Sequence, residues 1–187
     1  MAGVFGRLPS VPPVPSLIFT IGHSTRTAEA FLDLLQAHGV TGVADVRTVP
    51  RSRRHPHFSR DALAAFLPQH GIDYIHLPGL GGLRKPRRDS PNAGWRHEGF
   101  RGYADHMGTH EFADTLDALL AFAGERQTAV MCAEAKWWEC HRQLVADALV
   151  ARSVEVRHIM CACNTPRHEL TPFARVTGST VRYPALI

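Results

Sequence analysis

The segment TAVMCAEAKWWECHRQLVADAL, residues 128–149, gives the clearest indication of the fold. Residues 128–131 are uncharged and mostly apolar, which predicts a short buried strand. From Leu144 onward, apolar residues recur with helical spacing, which predicts a helix. Between the two, residues 132–142 contain two thiols, two carboxylates, an imidazole and a guanidinium. A strand that passes through reactive side chains into a helix is how α/β proteins commonly form a ligand site.

Working outward, the rest of the chain shows strand and helix patterns in alternation. Further strands are predicted at residues 16–21, 40–46, 72–77 and 154–159. Thr27 and Ser59 are suitable helix N-caps, since a helical apolar pattern follows each, and another helical pattern surrounds Leu116. This alternation predicts an α/β fold: a single domain with a mostly parallel sheet of about five strands and helices on both faces.

The chain is long enough for one domain with a sizeable core and two short tails. Of its 187 residues, we assign 17–176 to the α/β domain, 1–16 to a flexible proline-rich tail and 177–187 to a C-terminal tail. Residues 78–102 are rich in Gly, Pro and Arg and too long for an ordinary connection, so they form a candidate functional loop. The sequence leaves open whether this loop closes as a lid.

Composition narrows the class of protein. No apolar run approaches the roughly 18 residues that cross a bilayer, and residues 1–16 lack the apolar core of a secretory signal. We therefore expect no membrane partner and a cytoplasmic location. Four cysteines in a chain of this size do not resemble a disulfide framework, so reduced thiols are expected. A net charge of +4 permits an anionic ligand without requiring nucleic acid.

Polar or glycine residues follow four of the predicted strands at the point where each strand ends. In parallel sheets, ligands bind outside the carboxyl ends of the strands, so we expect these residues to share one pocket. They are His23 and Ser24, Asp45 and Arg47, Gly81 and Gly82, and Cys132 with Glu134.

The same positions belong to motifs that occur together in one known family. The motifs are Gly22-His23-Ser24, Asp45-Val46-Arg47 with Pro50 and Ser52, Leu80-Gly81-Gly82, Phe100-Arg101-Gly102-Tyr103, Met131-Cys132-Ala133-Glu134 and Cys140-His141-Arg142. From about residue 20 to residue 176, the chain resembles the DUF488 family, which is named for lacking an assigned function. The resemblance implies an α/β fold and a site around the Asp-Val-Arg and Cys-Ala-Glu/Cys-His-Arg segments, and it brings no reaction with it. Cys161-Ala-Cys163 lies outside this pattern.

Cys132 is the candidate reactive thiol. It ends a strand, faces a helix N-terminus and has His141 and Arg142 nearby in sequence, so its pKa is expected to be lowered, as in thiolate nucleophiles. Glu134 or His141 would then transfer protons. The alternative is a small buried residue that only packs. The sequence does not decide whether the protein is an enzyme.

An anionic small molecule is the expected partner, because Arg47 and Arg142 are suited to orient phosphate, sulfate or carboxylate. His23 is a candidate acid, base or ligand, and Tyr103 is a candidate to reach the pocket from the long loop. Each of these residues also has a structural interpretation. These are an Asp45–Arg47 ion pair that braces its loop, a surface salt bridge from Arg142 to Asp147 or Glu139, a His23 bonded to a turn carbonyl, and a core Tyr103.

A metal-dependent enzyme is one alternative function. Cys132, Cys140 and His141 are acceptable ligands for zinc or iron. However, the Cys-x7-Cys-His spacing is not a familiar structural zinc pattern, and adjacent residues on a helix point about 100° apart. The sequence identifies no cofactor.

A nucleic-acid or nucleotide binding module without turnover is the other alternative. Arginines cluster at residues 51–54 and 84–88, and Phe58, Trp95 and Phe100 lie nearby in sequence. Basic residues bind phosphates and aromatic rings stack on bases, although no recognised binding motif is present. Solvated loop arginines would give the same pattern. Neither the substrate nor the oligomeric state follows from the sequence.

Overall fold

A five-stranded, fully parallel sheet forms the centre of the computed structural model, which describes residues 15–51 and 53–185. Its strands are β1 (Leu17–Gly22), β2 (Gly42–Asp45), β3 (Asp73–His76), β4 (Thr128–Cys132) and β5 (Glu155–Ile159). They lie in the order β3-β2-β4-β1-β5, and every neighbouring pair is parallel. The predicted α/β fold with a parallel sheet of about five strands is therefore confirmed.

Within the described residues, five α-helices cover both faces of the sheet. They are α1 (Ala28–Ala37), α2 (Arg60–Phe66), α3 (Glu98–His106), α4 (His110–Ala123) and α5 (Arg142–Val150). Apolar side chains of α1 and α2 pack in one core cluster, and those of α3, α4 and α5 pack in a second cluster. The predicted caps form, because Thr27 Oγ1 accepts from the N–H of Ala30 and Ser59 Oγ accepts from that of Ala62. Across the described ranges, none of the helices has the length and apolar character that a bilayer crossing requires.

The alternation of side chains along β4 decides which face of the sheet Cys132 occupies. Ala129 and Met131 belong to the core cluster of α1 and α2, whereas Val130 and Cys132 belong to the cluster of α3, α4 and α5. Successive residues of a strand face opposite sides of the sheet. The Cys132 thiol therefore lies on the α5 side, at the carboxyl end of the middle strand.

The segment predicted as one long loop, residues 78–102, ends as the first half of α3. The helix is hard to recognise in the sequence because it contains two glycines. One of them, Gly102, is sterically required, since a Cβ there would overlap the backbone of residues 84–86. The rest of the loop is fastened to α3, where the Asp105 carboxylate accepts a hydrogen bond from the backbone N–H of Arg87 at 2.8 Å.

The C-terminal segment packs against α5 through an antiparallel hairpin. Its strands are β6 (Arg175–Thr177) and β7 (Thr180–Arg182), so the predicted tail at 177–187 begins inside the hairpin. Tyr183 is fully buried, and its hydroxyl donates to Oδ2 of Asp147 on α5 at 2.7 Å. Residues 186 and 187 lie outside the described residues, as do residues 1–14 of the predicted N-terminal tail.

Candidate functional site

The predicted edge residues meet where the parallel strands end. The backbone N–H of His23, after β1, donates to the carbonyl of Cys132 at 2.9 Å. On the other side of β4, the N–H of Val46, after β2, donates to the carbonyl of Met131 at 3.0 Å. These bonds continue the pairing beyond the sheet, so the segments that follow three strands are held side by side.

A cavity of about 370 Å³ opens at this edge and is the candidate site. Five of the predicted site residues line it, namely Arg47, Gly82, Cys132, Glu134 and His141. The other predicted residues do not line this cavity; they are His23, Ser24, Asp45, Gly81, Tyr103 and Arg142. A larger cavity of about 480 Å³, lined by residues of α3, α4 and the hairpin, has no thiol in its walls.

Two thiols and one imidazole meet in the wall of the candidate cavity. The Nδ1 atom of His141 lies 3.6 Å from Cys140 Sγ and 4.0 Å from Cys132 Sγ, and the three atoms lie within 4.8 Å of one another. On the other side of the ring, His141 Nε2 is 3.3 Å from the carbonyl oxygen of Val46. A carbonyl only accepts, so Nε2 carries a hydrogen. Nδ1 faces the sulfurs, where it can accept a proton from a thiol and, once it holds that proton, donate a hydrogen bond to the thiolate.

The two thiols have opposite electrostatic properties. A hydrogen bond from the Cys132 thiol, together with the nearby His141 and Arg142, holds the pKa of Cys140 well below its ordinary value. The same hydrogen bond and burial raise the pKa of Cys132 well above its ordinary value. These directions favour the proton of the pair on Cys132 and the thiolate on Cys140. The sequence placed the lowered pKa on Cys132, whereas the hydrogen bond between the two thiols favours the thiolate of Cys140.

Arg142 is a buried cation behind the thiols. It is 1% exposed, and its guanidinium donates to the carbonyls of Glu134 and Ala135 and, at 3.4 Å, to Thr20 Oγ1. In the described part of the chain, no carboxylate lies within ion-pair distance of it. The surface salt bridge considered from the sequence is absent, since Glu139 pairs with Lys136 and Asp147 with His168. Arg142 thus braces the segment between the two cysteines and is out of reach of a ligand in the cavity.

Asp45 and Arg47 form the structural ion pair that was one of the two interpretations of the sequence. Arg47 Nε and Nη2 donate to the two carboxylate oxygens of Asp45 at 2.8 and 2.6 Å. Nη2 also donates to the carbonyl of Phe58 at 2.8 Å, and the Tyr74 hydroxyl donates to Asp45 at 2.8 Å. The pair braces the loop after β2, while one face of Arg47 still reaches the cavity.

His23 is a neutral histidine in this arrangement. Its Nε2 lies 3.2 Å from Arg47 Nη1, which can only donate, and its Nδ1 lies 2.9 Å from the carbonyl of Ser24. Nε2 therefore accepts and Nδ1 donates. Burial, and then the charge of Arg47, lower the pKa of His23 to about 4. The bond to a turn carbonyl matches the structural interpretation of His23 and not a role as a general acid near neutral pH.

Tyr103 and Gly82 hold the imidazole of His141 in place. Tyr103 is fully buried, its hydroxyl donates to the carbonyl of Leu80 at 2.8 Å, and its ring centroid lies 5.2 Å from that of His141. A Cβ at Gly82 would overlap the His141 ring, so only glycine permits this contact. Tyr103 therefore supports the imidazole from the core, and Gly82 leaves room for it in the wall of the cavity.

A chain of buried polar groups behind the site was not predicted from the sequence. Thr20 Oγ1 lies 2.7 Å from His158 Nδ1, His158 Nε2 lies 3.0 Å from His168 Nδ1, and His168 Nε2 lies 2.9 Å from Asp147 Oδ1. The Asp147 carboxylate accepts, so His168 and then His158 each carry a hydrogen on Nε2 and accept on Nδ1. The Thr20 hydroxyl accepts from Arg142 and donates to His158 Nδ1. The only signal in the sequence was a histidine inside the apolar strand at 154–159.

Two arginines of the basic clusters form ion pairs within the protein. Arg84 pairs with Glu111 at 3.3 Å, and Arg87 pairs with Asp89 at 2.7 Å. The indole of Trp95 stacks on Phe100 at 4.7 Å and packs against Phe173 and Tyr183, and Phe58 is fully buried. These rings are therefore not an exposed platform on which bases could stack.

Comparison with known proteins identifies the family of the chain. A family model described as "Domain of unknown function DUF488" matches residues 27–149. No curated protein and no solved structure matches the chain. The matched range runs from the N-cap of α1 to the end of α5 and includes Arg47, Cys132, Cys140 and His141 of the candidate site. The chain belongs to the DUF488 family.

Proposed function

We propose that the protein is an enzyme-like domain that binds a small anionic ligand in the 370 Å³ cavity and acts on it through the thiolate shared by Cys132 and Cys140. The observation that carries this proposal is the meeting of both sulfurs with Nδ1 of His141 within 4.8 Å. The buried Arg142 supports it, because an unpaired buried cation is costly and a thiolate beside it balances the charge.

The roles of the three side chains follow from their hydrogen bonds. Cys140 is the nucleophile, Cys132 is the thiol that stabilises it, and His141 Nδ1 is the proton acceptor. The carbonyl of Val46 orients the imidazole through Nε2. A nucleophile, a base and a group that orients the base form the general arrangement of activated thiols. The reactive thiol expected from the sequence thus moves from Cys132 to its partner.

One side of the cavity is suited to an anion. Four of the five N–H groups of Arg47 are bonded to residues 15–51 and 53–185, the ranges that the structure describes, which leaves one N–H on Nη1. Across the cavity, the N-terminal end of α3 contributes His97 and Gly99 to the wall, and helix N-termini favour negative charge. The exposed side chains of Val49 and Leu83 also line the cavity and would contact an apolar part of the ligand.

Alkylation by iodoacetamide across pH tests the thiolate. Trypsin separates the two cysteines, because Cys132 lies in peptide 127–136 and Cys140 in peptide 137–142. We expect Cys140 to be alkylated with a midpoint below the ordinary value of about 8.5, and inorganic phosphate to slow the reaction. Replacing Cys132 by Ala raises the midpoint because the donated hydrogen bond is lost, and Cys132→Ser raises it less. Alkylation of Cys140 near pH 8.5, or at no pH, would exclude the proposal.

A metal-dependent enzyme is the second candidate, and the geometry of the same three side chains favours it. Tetrahedral zinc with bonds of about 2.3 Å to sulfur and 2.0–2.1 Å to nitrogen places its sulfur and nitrogen ligands about 3.5 Å apart. The observed sulfur–nitrogen distances are 3.6 and 4.0 Å. The sequence argument against joint ligation by Cys140 and His141 assumed that both residues are helical. It does not apply, because Cys140 is extended (φ −131°, ψ 149°) and precedes α5. Three protein ligands beside an open cavity are typical of catalytic zinc.

Elemental analysis of the purified protein separates the two candidates. A metal site predicts about one zinc or iron per chain, and loss of that metal in Cys140→Ala and His141→Asn but not in Cys161→Ser. A protein that contains no metal and takes up none during dialysis against zinc would exclude this second candidate. The alkylation experiment would then decide on the thiolate proposal by itself.

A further inference from the structure

The second pair of cysteines, Cys161 and Cys163, lies in an exposed turn after β5. The turn is closed by backbone hydrogen bonds, from the N–H of Met160 to the carbonyl of Asn164 at 3.0 Å and from the N–H of Asn164 to the carbonyl of Cys161 at 3.4 Å. His38 Nε2 adds a bond to the carbonyl of Cys161 at 3.0 Å. Both cysteines are exposed and free.

The turn brings the two sulfurs close together. Their Sγ atoms are 3.3 Å apart, and a disulfide bond requires about 2.05 Å. Rotation about the side-chain bonds of two exposed residues can supply an approach of about 1.2 Å without movement of the buried strand before them. The pair is therefore held near the geometry in which one sulfur can attack the other.

The two thiols are also differentiated. The pKa of Cys161 is lowered, first by the backbone N–H of Cys163 and then by its thiol, whereas the pKa of Cys163 is raised by the same contact. In thiol–disulfide exchange, the thiolate attacks, so Cys161 is suited to the first attack and Cys163 to the second.

We propose that Cys161 and Cys163 form a dithiol site that exchanges with low-molecular-weight disulfides and closes to an intramolecular disulfide. The Cys161 thiolate attacks one sulfur of the disulfide, forms a mixed disulfide and releases one thiolate. The Cys163 thiol then loses its proton to solvent and attacks Cys161 Sγ, which releases the second thiolate. The protein loses two electrons and two protons, and the external disulfide is reduced to two thiols. This site is separate in sequence from the Cys132–Cys140 pair and does not depend on the function proposed for it.

Oxidised glutathione is the probe that tests the site. Trypsin releases Cys161 and Cys163 together in peptide 158–167, apart from both buried cysteines. We expect this peptide from the oxidised wild-type protein to be lighter by two hydrogen atoms. In Cys163→Ser, glutathione should remain attached to Cys161. In Cys161→Ser, Cys163 should react at least about fivefold more slowly than Cys161 does in Cys163→Ser, since the backbone N–H of residue 163 stabilises chiefly the thiolate of Cys161. Both residues are exposed, so neither variant disturbs the core.

A synthetic peptide of residues 158–167 is the matched control for the role of the fold. If the turn positions the two sulfurs, the equilibrium constant for disulfide formation with glutathione should be about tenfold higher in the protein than in the peptide. Equal constants would overturn the inference. Wild-type protein that carries glutathione on both cysteines without an internal disulfide would also overturn it, as would equal reaction rates of the two serine variants.

Discussion

At the scale of single residues, Arg142 and Gly22 determine how the reactive segment is held. Arg142 donates to the carbonyl of Glu134 from behind the segment and places its charge beside both thiols. Gly22 allows that carbonyl to approach β1, because a Cβ at this position would overlap it. The position of the thiols therefore depends on the guanidinium of Arg142 and on the missing side chain at Gly22. Neither residue lines the cavity.

Replacement of Arg142 by Gln should raise the pKa of Cys140 and lower stability. The charge that favours the thiolate is removed, and charge-assisted hydrogen bonds to the partly buried carbonyls of Glu134 and Ala135 are weakened, at a cost of about 1.5–3 kcal/mol. The alkylation midpoint and urea-induced unfolding measure the two effects. Arg142→Lys retains the charge and should shift the midpoint less. A folded Arg142→Gln protein with an unchanged midpoint would contradict this role.

Replacement of Gly22 by Ala should displace the segment that bears the thiols. The new Cβ would overlap the backbone carbonyl of Glu134, which cannot rotate away as a flexible side chain could. We therefore expect a loss of about 1–3 kcal/mol in the free energy of unfolding and slower alkylation of Cys140. Gly108→Ala is the matched control, because a Cβ there meets its nearest atom, Asp105 O, at an ordinary distance of 3.5 Å. Similar losses in the two variants would argue against the close approach.

At the scale of elements, the buried polar chain joins β1, β5, α5 and the C-terminal hairpin. Asp147 on α5 accepts from His168, from the backbone N–H of Thr171 and from Tyr183. The indole of Trp137 stacks on His158 at 4.0 Å and covers the chain on one side. The hairpin has three residues in each strand and would not be stable alone. Its anchor is therefore the Asp147 carboxylate.

Tyr183→Phe tests this anchor by removing one hydroxyl. The donated bond to a fully buried carboxylate is lost, so we expect a decrease of about 1.5–3 kcal/mol in the free energy of unfolding. Tyr74→Phe removes an equivalent bond to Asp45 at 2.8 Å, but Tyr74 is partly exposed and water can replace its hydroxyl. Urea-induced unfolding should therefore show a smaller loss for Tyr74→Phe. The opposite order would contradict the anchoring role of Tyr183.

At the scale of the whole molecule, two buried neutral histidines make stability depend on pH. Burial lowers the pKa of His23 to about 4 and that of His158 to about 3, and both imidazoles return to about 6.5 on unfolding. Between pH 6.5 and 4, the unfolded chain therefore binds more protons than the folded protein. The free energy of unfolding should fall as the pH is lowered, by about 1.4 kcal/mol per pH unit for each histidine.

Urea-induced unfolding at several values between pH 7 and pH 4.5 measures this slope. His23→Gln and His158→Gln should each reduce the slope by about 1.4 kcal/mol per pH unit, which corresponds to one proton, since glutamine does not titrate. Both variants are compared with wild type by their slopes, so a general loss of stability does not affect the result. Slopes that match wild type would show that the two histidines are not held neutral.

The fold followed from local patterns in the sequence, whereas the electrostatics of the site did not. Apolar periodicity and the caps at Thr27 and Ser59 predicted the strands and helices, and the carboxyl-edge rule brought together Arg47, Cys132 and Glu134, which line one cavity. The lowered pKa of Cys140 was not predicted, because the position of this thiol depends on the short turn at Trp137–Glu139 that separates it from Cys132.

The other features that the sequence did not predict depend on contacts between distant parts of the chain. Thr20 and His158 are 138 positions apart, so their hydrogen bond leaves no local pattern. The strands of the C-terminal hairpin are too short for alternation to be recognised, and the burial of Tyr183 depends on Asp147, 36 positions earlier. Arg142 was interpreted as a residue that orients the ligand or forms a surface salt bridge, because helical spacing alone does not show that its side chain is buried against the carbonyls of the preceding loop.

The strand order has a consequence for how the chain folds. β1 and β2 are consecutive in sequence, but β4 lies between them in the sheet and pairs with both. Before β4 is present, no strand of the sheet joins β1 to β2. A nascent chain that ends before residue 128 would expose the edges of β1 and of the β2–β3 pair, which are prone to wrong pairing. Insertion of β4 covers the edges of β1 and β2 that face each other, and β5 covers the other edge of β1 later. The joining of β1 to the β2–β3 pair and the arrival of Cys132 are therefore one event in the synthesis of this protein.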